Sequence, residues 1–110
     1  MFKKNERLTH YEFSEHFRTG KKHHFPTMTI ITKPLPTRKV AVVVGKKVAK
    51  SAVRRNTLKR RVVASLREVL VTKGYQGLVI VILKTQFNSL SRKVADNLLK
   101  ESIAEALKST

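Results

Sequence analysis

Residues Leu78–Leu83 read LVIVIL, six apolar residues without a polar break, preceded by a turn bracketed by Gly74 and Gly77. A run this short and this rich in β-branched residues is a strand covered on both faces, and therefore a central one. Val40–Val44 is a second continuous β-branched run, closed by Gly45, and predicts another strand buried on both faces. Phe25–Lys33, rich in Thr and Ile, predicts a third. Pro34-Leu35-Pro36 cannot continue it inside a sheet and marks a loop.

Three helices supply the cover these strands need. Thr9 and Glu12 have the spacing of a capping box, and Leu8 and Phe13 that of a hydrophobic staple, so a first helix begins at Thr9. His10, Phe13 and Phe17 share one stripe of it, and Gly20 is a suitable stop. Ser51 is a fitting N-cap for a long second helix, whose Leu58, Val62, Leu66, Val69 and Leu70 recur on one face. A third helix starts near Ser89 or Ser91. Ala95, Leu99, Ile103, Ala106 and Leu107 form its buried stripe, and its acids lie off that stripe. The order is α-β-β-(β)-α-β-α, with room for a short extra strand near Lys22–His24. This is an α/β (α+β) two-layer sandwich, a small mixed sheet with packed helices. No repeat, linker or low-complexity segment interrupts it, so residues 1–110 are expected to form one domain. A hydrophobic content of 41% suffices for a core at this length.

Charge then restricts the partner. Twenty-four Lys and Arg face seven Asp and Glu, a formal net charge of +17. No acid lies between His16 and Arg67, a stretch with fifteen Lys or Arg. Such asymmetry marks a basic face for a polyanion, with a solvated basic surface as the plain alternative. A membrane surface would need a basic amphipathic helix with Trp, Phe or Leu exposed opposite the charges. There is no Trp, and the apolar residues near the charges fit a core, so nucleic acid is the expected partner. The chain has no Cys, no run long enough to span a bilayer and no signal-peptide stretch in Met1–Glu6; a cytoplasmic location is expected.

The densest part of the basic face is 46–61, KKVAKSAVRRNTLKRR, with eight Lys or Arg and no acid. Lys46, Lys47 and Lys50 precede the second helix; Arg54, Arg55, Lys59, Arg60 and Arg61 lie in its first turns. On a helical wheel Arg61 falls almost in line with Arg54, Arg60 flanks that side, and Lys59 borders the apolar stripe. The helix start is basic nearly all round, whereas its later turns are amphipathic. Its first N–H groups favour phosphate, Arg binds phosphate bidentately, and Asn56 can reach sugar or base edges. Arg55 and Asn56 precede the apolar rows, so the fold is expected to tolerate their loss.

A strand followed by Gly-Lys-Lys, a short turn and Ala-Val-x-Arg-Asn-x-x-Lys-Arg opening a helix resembles the bacterial ribonuclease P protein subunit. The matching residues are Lys46, Lys47, Ala52, Val53, Arg55, Asn56, Lys59 and Arg60, joined at the N-terminus by Leu8, Phe13, Phe17 and Gly20. Thr57 departs from the family's usual Arg, which Arg54 partly replaces. Phe25 is the one aromatic between Phe17 and Tyr75, where the family often carries a substrate-facing aromatic on its early strands.

The resemblance implies a left-handed β-α-β crossover, against the usual hand. It also implies a catalytic RNA partner that, with Mg²⁺ held mainly by the RNA, hydrolyses the phosphodiester joining the 5′ leader to mature tRNA. The basic helix would face the catalytic RNA. A cleft between the first helix and the sheet would hold the single-stranded leader, with Phe13, Phe17 and Phe25 as its aromatics. Stacking on aromatics in a positive groove is how single strands are held, though plain core packing explains Phe13 and Phe17 as well.

Little else carries chemistry. His10, His16, His23 and His24 are the strong nitrogen ligands, and the adjacent His23 and His24 would point to opposite faces of a strand. No metal site, paired carboxylates in a cleft, phosphate-binding glycine loop or nucleophile elbow is predicted. The chain has no evident means of acid–base hydrolysis, so catalysis is expected in the RNA, with no obligate protein partner. A small ribosomal protein would share size, charge and α/β character. A helix-turn-helix regulator needs a helix before Ser51, where the sequence reads as strand.

Overall fold

A computed structural model describes residues 6–108, so the opening 1–5, read above for a signal peptide, lies outside the described residues. The elements are α1 (His10–Thr19), β1 (Lys21–His24), β2 (Met28–Lys33), β3 (Lys39–Val43), α2 (Ala52–Lys73), β4 (Leu78–Leu83), α3 (Thr85–Asn88) and α4 (Arg92–Lys108). The strands form one mixed sheet in the order β1-β2-β4-β3. β1–β2 and β2–β4 pair antiparallel, and β3–β4 pair parallel across the α2 connection. The apolar run of β4 is interior, as its lack of polar breaks requires.

Strand alternation divides the sheet into two faces. Ile30, Val81 and Val42 align across one face. With Met28, Val40, Val79 and Leu83 they pack in a core that includes Leu58, Val62, Leu66 and Leu70 of α2 and Leu99, Ile103 and Ala106 of α4. Ile31, Ile80 and Ala41 align across the opposite face. There Leu8 and Phe13 pack on the fully buried Ile31, Leu78 and Ile80. One sheet therefore sits between a thick helical layer and the single short α1.

The helix ends obey local chemistry. Thr9 accepts from the Glu12 N–H at 3.2 Å while Glu12 accepts from the Thr9 N–H at 3.0 Å, completing the capping box. Those bonds, with a smaller contribution from Lys39, hold the Glu12 carboxyl below its ordinary pKa. Ser51 caps α2 by accepting from the Arg54 N–H. At the other end Gly74 is left-handed, φ 63°, and its N–H and that of Tyr75 bond back to Val71 and Leu70. Gly20 ends α1 for a different reason. Its φ is −72°, but a Cβ there would run into the Ile31 side chain and lie 2.9 Å from the His16 carbonyl oxygen.

Several boundaries shift from expectation. The strand expected from Phe25 begins at Met28, because the chain turns at Pro26-Thr27 and the Phe25 N–H closes that turn on the Met28 carbonyl. The extra strand near Lys22–His24 is present as β1. The Val40–Val44 run forms β3 one residue earlier. Before the last helix the chain makes α3, a four-residue turn that buries Phe87, and α4 then starts with the Ser91 hydroxyl accepting from the Val94 N–H.

Candidate nucleic-acid interface

The basic segment begins in the loop after β3. Val48 and Ala49 donate their N–H groups to the Gly45 carbonyl, and their side chains are buried. Anchored there, the loop leaves Lys46, Lys47 and Lys50 exposed. Arg55, one turn into α2, reaches back: its Nη1 donates to the Ala49 oxygen at 3.0 Å and to the Lys50 oxygen at 2.8 Å. The expectation that the fold ignores Arg55 is thereby revised, since its removal strips a charged donor from two loop carbonyls. We expect Arg55→Ala to lower stability by about 1–2 kcal/mol. Thermal melting of Arg55→Ala and of Asn56→Ala, whose side chain makes no such bond, checks this. Equal melting temperatures would show that the clamp carries no folding energy.

The other cations split across the two flanks of α2. Asn56, Lys59 and Arg60 line a groove of about 530 Å³ with Val40–Val42 of β3 and with Arg7 and Leu8. Arg54 and Arg61 line the opposite flank, toward α4, where the Arg54 Nε donates to the Asn88 side-chain oxygen at 2.9 Å. Arg60 was expected beside Arg54 and Arg61. It falls with Asn56 instead, because each residue turns the helix by about 100° and Arg60 is six residues past Arg54. Thr57 turns its hydroxyl inward to the Val53 carbonyl at 3.0 Å, so it offers no substitute for a cation. Among the described residues none of the eight cations in 46–61 forms an ion pair with an acid.

The cleft between α1 and the sheet is a separate surface. Phe13 and Phe17 lie 5.8 Å apart, ring centroid to centroid, tilted by 31°. Phe13 packs on the Ile31–Ile80 cluster, whereas Phe17 is 42% exposed, so the two rings grade from core to cleft wall. Lys22 Nζ stands 5.3 Å from the Phe17 ring centroid. Strand register puts Lys22, Lys33 and Lys39 on this face, with His24, Thr29 and the half-buried Ile82 and Val43. Lys33 donates to Thr19 on α1 at 2.9 Å, and Lys39 lies 3.7 Å from Glu12. These strand cations went unassigned from sequence. Parity along β1 finds Lys22 only once its pairing with β2 is known.

Phe25 is not brought to this cleft. It packs against the core of the α2–α4 layer, and its carbonyl accepts from the Lys84 ammonium at 2.6 Å. The paired histidines diverge as expected. His23 bonds Thr32 on one face at 2.9 Å, and His24 bonds Thr29 on the other at 3.3 Å. Burial, and then the charge of Lys21, hold His23 below its ordinary pKa. Among the described residues no group of three or more His, Cys, Asp or Glu is placed to hold a metal ion.

The comparisons with known proteins agree with this layout. The family model for Ribonuclease P matches residues 2–107. A ribonuclease P protein component from Microcystis aeruginosa is 32% identical over 110 residues, covering 88% of this chain and 91% of its own. The ribonuclease P protein of Staphylococcus aureus superposes with a TM-score of 0.75 at 18% identity, over 92% of this chain and 94% of that one. That of Thermotoga maritima gives a TM-score of 0.64 at 25% identity, over 87% and 96%. With the mixed four-stranded sheet, the basic start of α2 and the cleft beside α1 on one scaffold, the chain belongs to the ribonuclease P protein family.

Proposed function

We propose that this chain is the RNA-binding subunit of a ribonucleoprotein endonuclease that removes the 5′ leader from precursor tRNA. The loop at 46–50 and the first turns of α2 bind the catalytic RNA, and the cleft between α1 and the sheet takes the single-stranded leader. The observation that carries this reading is the segment 46–61: three cations in the loop and five in the first turns of α2, with no acid and, among the described residues, no ion pair, rooted by Leu58, Val62, Leu66 and Leu70 in the core. Lys46, Lys47, Lys50, Lys59 and Arg60 are exposed, and among the described residues their side chains make no ion pair, so a polyanionic partner accounts for them better than folding does.

The chain's part in the reaction is binding and orientation. Mg²⁺ and the hydrolytic step are assigned to the RNA, since the cations of 46–61 equip this chain to hold phosphate and not to activate water. None of the described helices is long and apolar enough to cross a membrane, and none of this reading needs one.

Phe17 tests the leader assignment, because its exposed ring can be removed with little loss of core. Phe17→Ala should weaken holoenzyme binding of precursor tRNA bearing a leader of several nucleotides by about 1–3 kcal/mol. Mature tRNA should bind as before. Affinities for both substrates, with circular dichroism to confirm folding, make the measurement. Equal loss for both would return Phe17 to the core and leave Lys22, Lys33 and Lys39 as the leader contacts.

A further inference from the structure

A second basic surface lies on the far side of α2. The groove between α2 and α4, about 480 Å³, is bordered by Arg54 and Arg61 on one wall and by Arg92 and Lys93 on the other. Among the described residues none of these four cations is in an ion pair. One carboxylate, Asp96, reaches the groove, and it is engaged: the Ser65 hydroxyl donates to it and Lys100 lies 3.4 Å away. The Ser65 bond, then Lys100 and the field of Arg92 keep its carboxyl below the ordinary range. The groove is therefore strongly cationic, and its negative member is already satisfied. Leu58, Leu90 and Leu99 give it an apolar floor.

Folding does not account for the cations of α4. Arg92 and Lys93 occupy the first turn, which holds no acid and where positive charge opposes the helix dipole; Asp96, one turn on, feels Arg92 but is bonded by Ser65 and paired with Lys100. Both are exposed. Cations held at an unfavourable helix end, around an apolar floor, match a phosphodiester strand with a base laid against the floor. The position of the groove selects which RNA. It opens in the helical layer, on the opposite side of the sheet from Phe13 and Phe17, so a short leader lying along α1 does not reach it.

We propose that the α2–α4 groove is a second seat for the catalytic RNA, which thereby grips α2 from both flanks: Asn56, Lys59 and Arg60 on one, and Arg54, Arg61, Arg92 and Lys93 on the other. The proposal rests on the RNA-binding reading above and adds α4 to the interface.

The test is binding of the catalytic RNA alone, without tRNA, to wild type, to Arg92→Ala/Lys93→Ala and to Lys59→Ala/Arg60→Ala, over a range of salt. The α4 double variant should bind roughly tenfold more weakly, with the salt slope shallower by about 2 and melting unchanged or slightly raised. The α2 double variant reports on the underlying reading and should weaken as well. If it weakens while the α4 variant matches wild type in affinity and slope, the second seat is refuted and the reading stands. If neither weakens, the reading fails and takes the proposal with it. A loss confined to leader-bearing precursor tRNA in the holoenzyme would give the groove to the leader and overturn its assignment to the catalytic RNA.

Discussion

Raising salt from about 50 to 200 mM should weaken binding to the catalytic RNA by roughly 10³- to 10⁴-fold. The expectation follows from the count of cations whose charge no acid neutralises. Eight lie within 46–61, and none of them is paired with an acid among the described residues. If about 5 to 8 of their contacts release a counterion, log K falls with log salt at a slope of about −4.5 to −7. Two features of the structure raise the effective number of contacts. The loop lysines are fixed by buried Val48 and Ala49 and by the Arg55 clamp, so less entropy is lost on ordering them. The cations also surround the helix start instead of sharing one stripe, so phosphates on both flanks are within reach. Filter binding or fluorescence anisotropy across that range checks it. A slope near −1 would mean that the start of α2 is not the principal contact.

What sequence could and could not reveal divides by the range of the interactions involved. The Thr9–Glu12 capping box, the Ser51 cap and the recurrence of Leu58, Val62, Leu66 and Leu70 are set within a few residues, and each is present as read. The interior place of β4 was legible too, since an unbroken apolar run needs cover on both faces. Phe25 illustrates the opposite case. Its neighbours favour a strand, but Pro26 lacks the N–H a ladder needs, and the turn it forces swings the ring toward the α2–α4 core. Arg55 was legible as a cation and illegible as a clamp, because its acceptors are carbonyls, which every residue carries. Arg92 and Lys93 stand more than thirty residues from Arg54 in the chain. Nothing local announces that α4 returns them to α2. The site was thus readable along one helix and unreadable wherever it is assembled between elements.

The largest loss of stability is expected at the root of the basic helix. Leu66 is fully buried in the core that joins α2 to β2, β4 and α4. Leu66→Ala deletes its branched end from a closely packed site, and such a change costs about 2–5 kcal/mol, with the cost set by how far the neighbours collapse. Stability at this size is about 5–15 kcal/mol, so the melting temperature should fall by roughly 10–20 °C. The basic turns end at Arg61, more than one turn upstream, and keep their Ser51 cap, so the fraction that stays folded should retain wild-type affinity and salt slope for the catalytic RNA. RNA at about 100 times its dissociation constant should return some 2.7 kcal/mol by binding only the folded state, and with it much of the lost melting temperature. Arg60→Ala should behave inversely, with unchanged melting and weaker RNA binding, because its side chain is exposed at the groove and supports no core contact. Calorimetry with and without RNA on these two variants separates root from contact surface. A Leu66→Ala protein that melts like wild type yet binds RNA with a shallower salt slope would mean that the buried and basic faces of α2 have been interchanged.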